Sequence, residues 1–169
     1  MKYLMAKLRR HLVLVEVHKP TLRLMVHHLS KYKSIQICHL RPDSLALLIH
    51  HSGVYAGGSV GVIDGSNGLV TQALQQVVGG QGAVHFFQIL KTARLDNCGY
   101  LIEPRENIRI WKMPPADPLA AKLLEKVQVE AAAVVHDKFS PIDCLRTIWP
   151  HLAPGGSFVA FSIFIEVSL

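Results

Sequence analysis

The apolar positions of this chain follow two periodicities, and the change from one to the other falls near Ala56. Before it the spacing is helical. In "TLRLMVHHLSKY", Leu22, Met25, Val26 and Leu29 recur at three- and four-residue intervals, which predicts a short amphipathic helix. "LRPDSLALLIHHSG" carries a clearer signature: Pro42 suits a first turn, Asp43 favours the positive end of the helix dipole and Gly53 can end the helix. Further upstream, "HLVLVEV" (11–17) alternates weakly and reads as a strand, broken by Lys19-Pro20-Thr21. After Ala56, short apolar runs alternate with helical stretches. The pattern predicts strands at about 60–64, 83–88, 107–111, 131–136 and 157–165. Helices fit at about 67–78, 117–128 and 141–151, with a looser helical turn within 89–102. Gly79-Gly80 stops the first of these helices, and Pro154-Gly155-Gly156 is expected to break the chain before the last strand. Strands alternating with helices of this length imply βαβ crossovers, hence an α/β fold with a mainly parallel sheet of about five strands. The closing stretch "GGSFVAFSIFIEVSL" is nearly all apolar, as a strand buried on both faces would be. A sheet ending there has an unpaired edge, so further residues or a partner chain are expected to cover it.

Composition narrows the class. A chain of 169 residues is one domain of ordinary size, and 50% hydrophobic with 18% charged residues excludes a disordered chain. The apolar runs are too short to span a bilayer, and "MKYLMAKLRRHLVLVEV" lacks the long apolar core and cleavage site of a secretory signal. Three widely spaced cysteines, Cys38, Cys98 and Cys144, suit reduced thiols in a nucleocytoplasmic compartment. Charge is uneven. Net charge is +6, and nine of the 18 Lys and Arg lie in the first 41 residues beside a single acid, Glu16. A basic arm on a near-neutral body points to contact with phosphate or another acidic surface, against the alternative of solvated lysines with no partner.

The candidate chemistry centres on "VGVIDGSNGLVT", a strand, a glycine-bearing turn and a helix. In open parallel sheets ligands sit outside the carboxyl ends of the strands, where glycines admit a ligand to the backbone and a helix N-terminus offers free N–H groups. A loop of the type used for S-adenosylmethionine reads acid-x-Gly-x-Gly-x-Gly. Matched backwards from Gly68, its glycine positions hold Asp64, Ser66 and Gly68, and its acidic position holds Val62. The end of the second strand, where a carboxylate would accept both ribose hydroxyls, holds Gln88, which lacks the charge-assisted strength of an acid. Two independent cofactor contacts are weakened together, so no cofactor is expected on this chain. Asp137, after the fourth strand, stands where catalytic carboxylates project in such folds, although an Asp after a strand is by itself more often a helix cap or loop acid. The pairs His27-His28 and His50-His51 do not converge on one helix face, no Cys-x-x-Cys or His-x-x-x-His occurs, and no metal site is expected. Ser140 and Ser162 lack a hydrolase elbow, and Cys144 reads as packing.

"KPTLRLMVHHL", "ICHLRPDSLALLIHHSGVYAGGSVGVIDGSNGLVTQALQQVVGGQGAVHFF" and "HLAPGGSFVAFS", in that order, resemble the non-catalytic subunit of the eukaryotic tRNA (adenine-N1)-methyltransferase. The likeness covers roughly residues 15 to 165 and is most specific in "LRPDSLALLIHHSGVYAGGSVGVID". It implies a Rossmann-like methyltransferase domain that has lost cofactor binding, joined to a catalytic sister subunit in a nuclear heterotetramer that methylates the T-loop adenosine and grips tRNA. On that reading residues 1–40 are a basic segment and linker helix, and 41–169 are the degenerate Rossmann domain. The sister's Asp-x-Pro-x-Pro-Trp motif becomes Asp137-Lys138-Phe139-Ser140-Pro141-Ile142, with Asp137 and Pro141 matching. Family members add an N-terminal β-barrel and further C-terminal strands, so a fragment or a short form is expected. Lys7, Arg9, Arg10, Lys19, Arg23, Lys31, Lys33 and Arg41 are the expected phosphate-contacting set. Two alternatives stand beside this one: an active S-adenosylmethionine-dependent tRNA methyltransferase using Asp137, and an assembly domain that touches protein alone.

Overall fold

The computed structural model describes residues 3, 4, 7, 15–89, 107–113 and 123–163. Thr21 opens the first helix, α1 (Leu22–Tyr32), its hydroxyl accepting from Leu24 N at 3.3 Å. A 3-10 turn (Ser34–Ile37) leads to α2 (Pro42–Ser52), which has Pro42 in its first turn and Gly53, at φ 65°, as its cap. Then follow β1 (Ser59–Asp64), α3 (Leu69–Val78), β2 (Ala83–Gln88), β3 (Ile108–Lys112), β4 (Val129–Val135), α4 (Pro141–Ile148), a 3-10 turn (Trp149–His151) and β5 (Leu152–Phe161). The five strands form one sheet in the order β3-β2-β1-β4-β5, parallel throughout. No described helix is long and apolar enough to cross a membrane.

Side-chain alternation divides the central strands between two cores. Val60 and Val62 of β1, Val84 and Phe86 of β2, and Ala131, Ala133 and Val135 of β4 face one side. There they meet Val26 and Leu29 of α1, Leu45 and Leu48 of α2, and Leu69 and Leu74 of α3. Ile63, Phe87, Ala132 and Val134 face the other side, with Cys144 and Ile148 of α4 and Leu124 and Val127. Burial on both faces explains why these strands read as unbroken apolar runs. Packing also carries across residue 40, since Val26, Leu29, Ile37, Cys38 and Leu40 share a core with the sheet.

Three local expectations change. Residues 15–17 of the expected strand 11–17 have no secondary structure and are exposed; 11–14 lie outside the described residues. Residues 15–17 pair with no strand among the described residues, and propensity alone does not hold a strand. Pro154-Gly155-Gly156 lies inside β5 instead of before it: Val129 pairs with Leu152 and Ala131 with Ser157, so the extra residues loop out as a bulge. The expected helix 67–78 begins at Leu69 because Asn67 and Gly68 take positive φ, 55° and 94°. The looser turn within 89–102 and most of 117–128 lie outside the described residues, of which 123–125 are helical. β5 is the edge of the described sheet, with Phe158, Val159 and Phe161 half-buried.

One buried histidine ties the second core to pH. His85 accepts a hydrogen bond from Trp111 Nε1 at 3.0 Å, which requires an unprotonated Nδ1. Burial, with Arg109 and His151 adding to it, pushes its pKa from 6.5 down to about 4. Burial also lowers His136 and His151. Between pH 6.5 and about 4 the unfolded chain binds protons that the folded chain refuses, so stability falls as pH falls through that window. His85→Gln keeps an acceptor for Trp111 without titrating. Thermal melts of the two proteins from pH 7.5 to pH 4.5 are expected to converge at the acid end, with the smaller loss in the variant.

Candidate functional site

The strand order reverses between β1 and β4, and the crevice beyond their carboxyl ends is where an open α/β sheet takes a ligand. Asp64, the last residue of β1, pairs with Val135, the last of β4. One residue on, Gly65 N donates to Val135 O at 2.6 Å, which extends the contact into the loop.

The loop "DGSNG" is built around the Asp64 carboxylate, which is 2% exposed. One of its oxygens accepts from Ser66 N at 2.7 Å and from the Ser66 hydroxyl at 2.5 Å. The other accepts from Thr71 N at 2.8 Å and from the Thr71 hydroxyl at 2.7 Å. Four donors fill the acceptor capacity of a carboxylate. The Ser66 hydroxyl accepts in turn from Val70 N at 3.2 Å. Val70 and Thr71 are the second and third residues of α3, so the N–H groups that a helix start would offer to an anionic ligand are bonded to the chain itself. Gly68 caps the helix at φ 94°, a conformation that glycine adopts at little cost, and it is the one glycine retained from the cofactor pattern.

A roof closes over this loop. A methyl group placed on Gly65 would lie 2.9 Å from Cys38 Sγ, 3.0 Å from Val135 O and 3.2 Å from His136 Cδ2. Cys38 and His39 hold φ of 52° and 55°, so two consecutive non-glycine residues are in the left-handed region where the turn carries the thiol to the sheet. Burial, with the Asp137 and Asp64 carboxylates adding to it, pushes the Cys38 thiol up to about 12, which makes it a packing group and not a nucleophile. His136 Nδ1 accepts from Lys138 N at 2.9 Å and lies 3.7 Å from Asp137 Oδ1; its ring sits 4.7 Å from that of Phe139. Burial lowers its pKa, in keeping with a neutral ring.

The structure sorts the expected residues. Asp64, Ser66 and Gly68 come together as described. Val62 is fully buried in β1 between Phe86 and Ala133, a core side chain in the acid's place. Gln88 ends β2 half-buried, its carbonyl accepting from Met113 N at 2.9 Å. Asp137 follows β4 with its side chain 30% exposed beside His136. The basic set lies apart from this crevice in sequence and in burial: Lys7, Lys19, Arg23, Lys31, Lys33 and Arg41 are exposed, and Arg41 pairs with Asp43 at 3.2 Å. Arg9 and Arg10 lie outside the described residues. Cys38, Thr71 and His136 were not singled out as site residues from sequence. Thr71 was accessible, as a hydroxyl in the first turn of α3; Cys38 arrives from a distant turn and leaves no local signal. No group of three or more His, Cys, Asp or Glu among the described residues could hold a metal ion.

Comparison with known proteins bears on the family and the fold. The Gcd10p family matches residues 1–153. The chain is 25% identical to the "tRNA (adenine(58)-N(1))-methyltransferase non-catalytic subunit trm6" of Dictyostelium discoideum, over 96% of this chain and 43% of that protein. It therefore spans less than half the length of that relative. Among solved structures it is similar to a SAM-dependent O-methyltransferase of Thermotoga maritima, with TM-score 0.64 and 18% identity over 88% of this chain and 52% of the other. It is also similar to a methyltransferase of Geobacter sulfurreducens, with TM-score 0.53 and 15% identity over 100% and 81%. The C-terminal domain of the precorrin-6Y C5,15-methyltransferase of Rhodobacter capsulatus gives 0.52 and 19% over 82% and 73%. At these identities the likeness establishes the methyltransferase-type Rossmann fold.

The loop's role as an internal cap is testable. Asp64→Ala strands four donors in a buried site and is expected to cost about 3 kcal/mol in urea unfolding, the upper range for a buried charged cap. Gly65→Ala, which forces a methyl against Cys38, Val135 and His136, is expected to cost about 1–3 kcal/mol. A loop held open for a ligand would tolerate both changes.

Proposed function

The chain belongs to the Gcd10p family, and from that membership we propose that it acts as a non-catalytic, tRNA-binding subunit of a tRNA adenine-N1 methyltransferase. One observation carries the reading: the Asp64 carboxylate, with four hydrogen bonds, occupies the helix start where a cofactor-bearing member of this fold offers its donors. Placing a second anion there requires displacing a buried charge from all its partners, a cost of several kcal/mol before any new contact forms. The space above Gly65 is filled by Cys38 and His136. S-adenosylmethionine then belongs to a catalytic sister subunit, and this chain supports it within a nuclear hetero-oligomer. The named relative, itself described as non-catalytic, supports the same assignment.

The tRNA contact is assigned to the exposed basic residues Lys19, Arg23, Lys31 and Lys33, with Lys7 and Arg41 beside them in the sequence. Contacts of this kind neutralise phosphate and position the RNA without reading its sequence.

Titration calorimetry of the chain with S-adenosylmethionine is expected to give no binding heat, and micromolar affinity would overturn the reading. Co-expression with the catalytic subunit is expected to yield a stable complex that methylates tRNA, while the catalytic subunit alone loses most of that activity. Changing Lys19, Arg23, Lys31 and Lys33 to Glu should weaken tRNA binding and flatten its dependence on salt. An unchanged salt series would favour the protein-only assembly role. Asp137, partly exposed in the crevice, is the residue on which an active enzyme would rest; methylation by the complex is expected to be indifferent to Asp137→Ala.

A further inference from the structure

Helix α1 turns Val26 and Leu29 into the core, and its outward face is basic. Arg23, His27 and Lys31 recur at four-residue intervals, all exposed, and no acidic residue occurs anywhere between Leu22 and Tyr32. Four residues of helix rise about 6 Å, so the three cationic or N–H-bearing groups stand in a row at a spacing comparable to that of successive phosphates along a strand. Beside this row lies an aromatic surface. Tyr32 is 64% exposed at the end of the helix. Its ring lies 4.8 Å from the tilted ring of His28, and Lys31 Nζ sits over it 5.3 Å from the centroid, so this exposed ring already holds a cation on its π-system.

We propose that this face of α1 holds an unpaired stretch of RNA, with a nucleobase stacked on Tyr32 and consecutive phosphates on Lys31, His27 and Arg23. Two cations, with an imidazole between them, flanking an exposed ring match the arrangement by which single-stranded nucleic acid is held: cations track the backbone, and the ring accepts a base in place of its neighbour in the stack. A duplex offers phosphates to the same row but keeps its bases paired, so Tyr32 discriminates unpaired from paired RNA. Charge complementarity selects RNA as the occupant, because a protein partner for this face would have to bring the acids that the helix lacks. The inference rests on the reading of the chain as an RNA-binding subunit and adds to it the class of RNA and the residue that recognises it.

The test uses the full chain, alone and in its complex, with two fluorescent probes in anisotropy titrations: oligoadenylate, and an RNA hairpin with a long paired stem. Tyr32→Ala is expected to weaken oligoadenylate binding about tenfold, to leave the hairpin stem's affinity and both salt slopes unchanged, and to be rescued by Tyr32→Phe. Removing Lys31 or Arg23 is expected to lower the salt slope for oligoadenylate by about 0.7 each. The exposure of Tyr32 makes unfolding by the Ala substitution a minor concern, and circular dichroism checks it. Unchanged oligoadenylate affinity in Tyr32→Ala, with reduced affinity in the charge variants, overturns the stacking site and leaves the RNA-binding subunit standing. If Tyr32→Ala releases the catalytic subunit while RNA binding persists, the face is a protein interface and the proposal falls. A loss of oligoadenylate binding in a complex whose tRNA methylation does not need this chain upholds the site and overturns the subunit reading instead.

Discussion

The buried carboxylate of Asp64 is the constraint around which the carboxyl edge of this sheet is organised. A charge at 2% exposure persists only if its lone pairs are used, and here four donors from Ser66 and Thr71 use them. The consequences spread outward. α3 must begin two residues late, after the positive φ of Asn67 and Gly68, so that its second and third N–H groups reach Ser66 and Asp64. β1 must stay against β4 to its last residue, and the Gly65–Val135 bond keeps it there. With the helix start closed from below, the turn through Cys38 can close it from above.

That closure explains how a methyltransferase-type fold persists without the loop chemistry that usually accompanies it. In a cofactor-binding loop the glycines are empty space and the helix N–H groups are donors in waiting. In this chain both have been converted into internal structure. Ser66, in a glycine's place, is part of a cap, and Gly65, at a variable position of the pattern, packs under Cys38 and His136. The carboxyl edge of the sheet is thereby held by the chain's own groups, and the exposed basic surface of α1 lies on a separate element.

Much of this architecture was legible along the chain. The central strands β1, β2 and β4 announced themselves because burial on both faces makes them largely apolar, and the strand bounds expected at 60–64 and 83–88 differ from those observed by one residue at most. Helix α1 was legible through the spacing of Leu22, Met25, Val26 and Leu29, and α2 through Pro42, Asp43 and Gly53, which act locally; the Thr21 and Ser140 caps emerged only in the structure. The failures have local causes too. An alternating segment at 11–17 carried strand propensity, but residues 15–17 pair with no strand among the described residues. Pro154-Gly155-Gly156 has the composition of a stop, yet a parallel neighbour on β4 allows three residues to bulge out and the strand to continue.

The site divides along the same line. That Val62, Asp64, Ser66 and Gln88 stand where a cofactor needs an acid, a glycine, a glycine and an acid is a statement about residue types at spacings, and the sequence alone determined it, along with the class of fold. What those residues do instead was decided by the tertiary structure. Whether Asp64 is a stranded charge or a saturated cap depends on the distance to Thr71 across a loop. Whether Gly65 faces a ligand or a thiol depends on a turn far upstream folding over it. Hydrogen bonds and close contacts are set in three dimensions, between groups that no periodicity in the chain brings together, so the loss of a cofactor pattern could be read in one dimension and its replacement only in three.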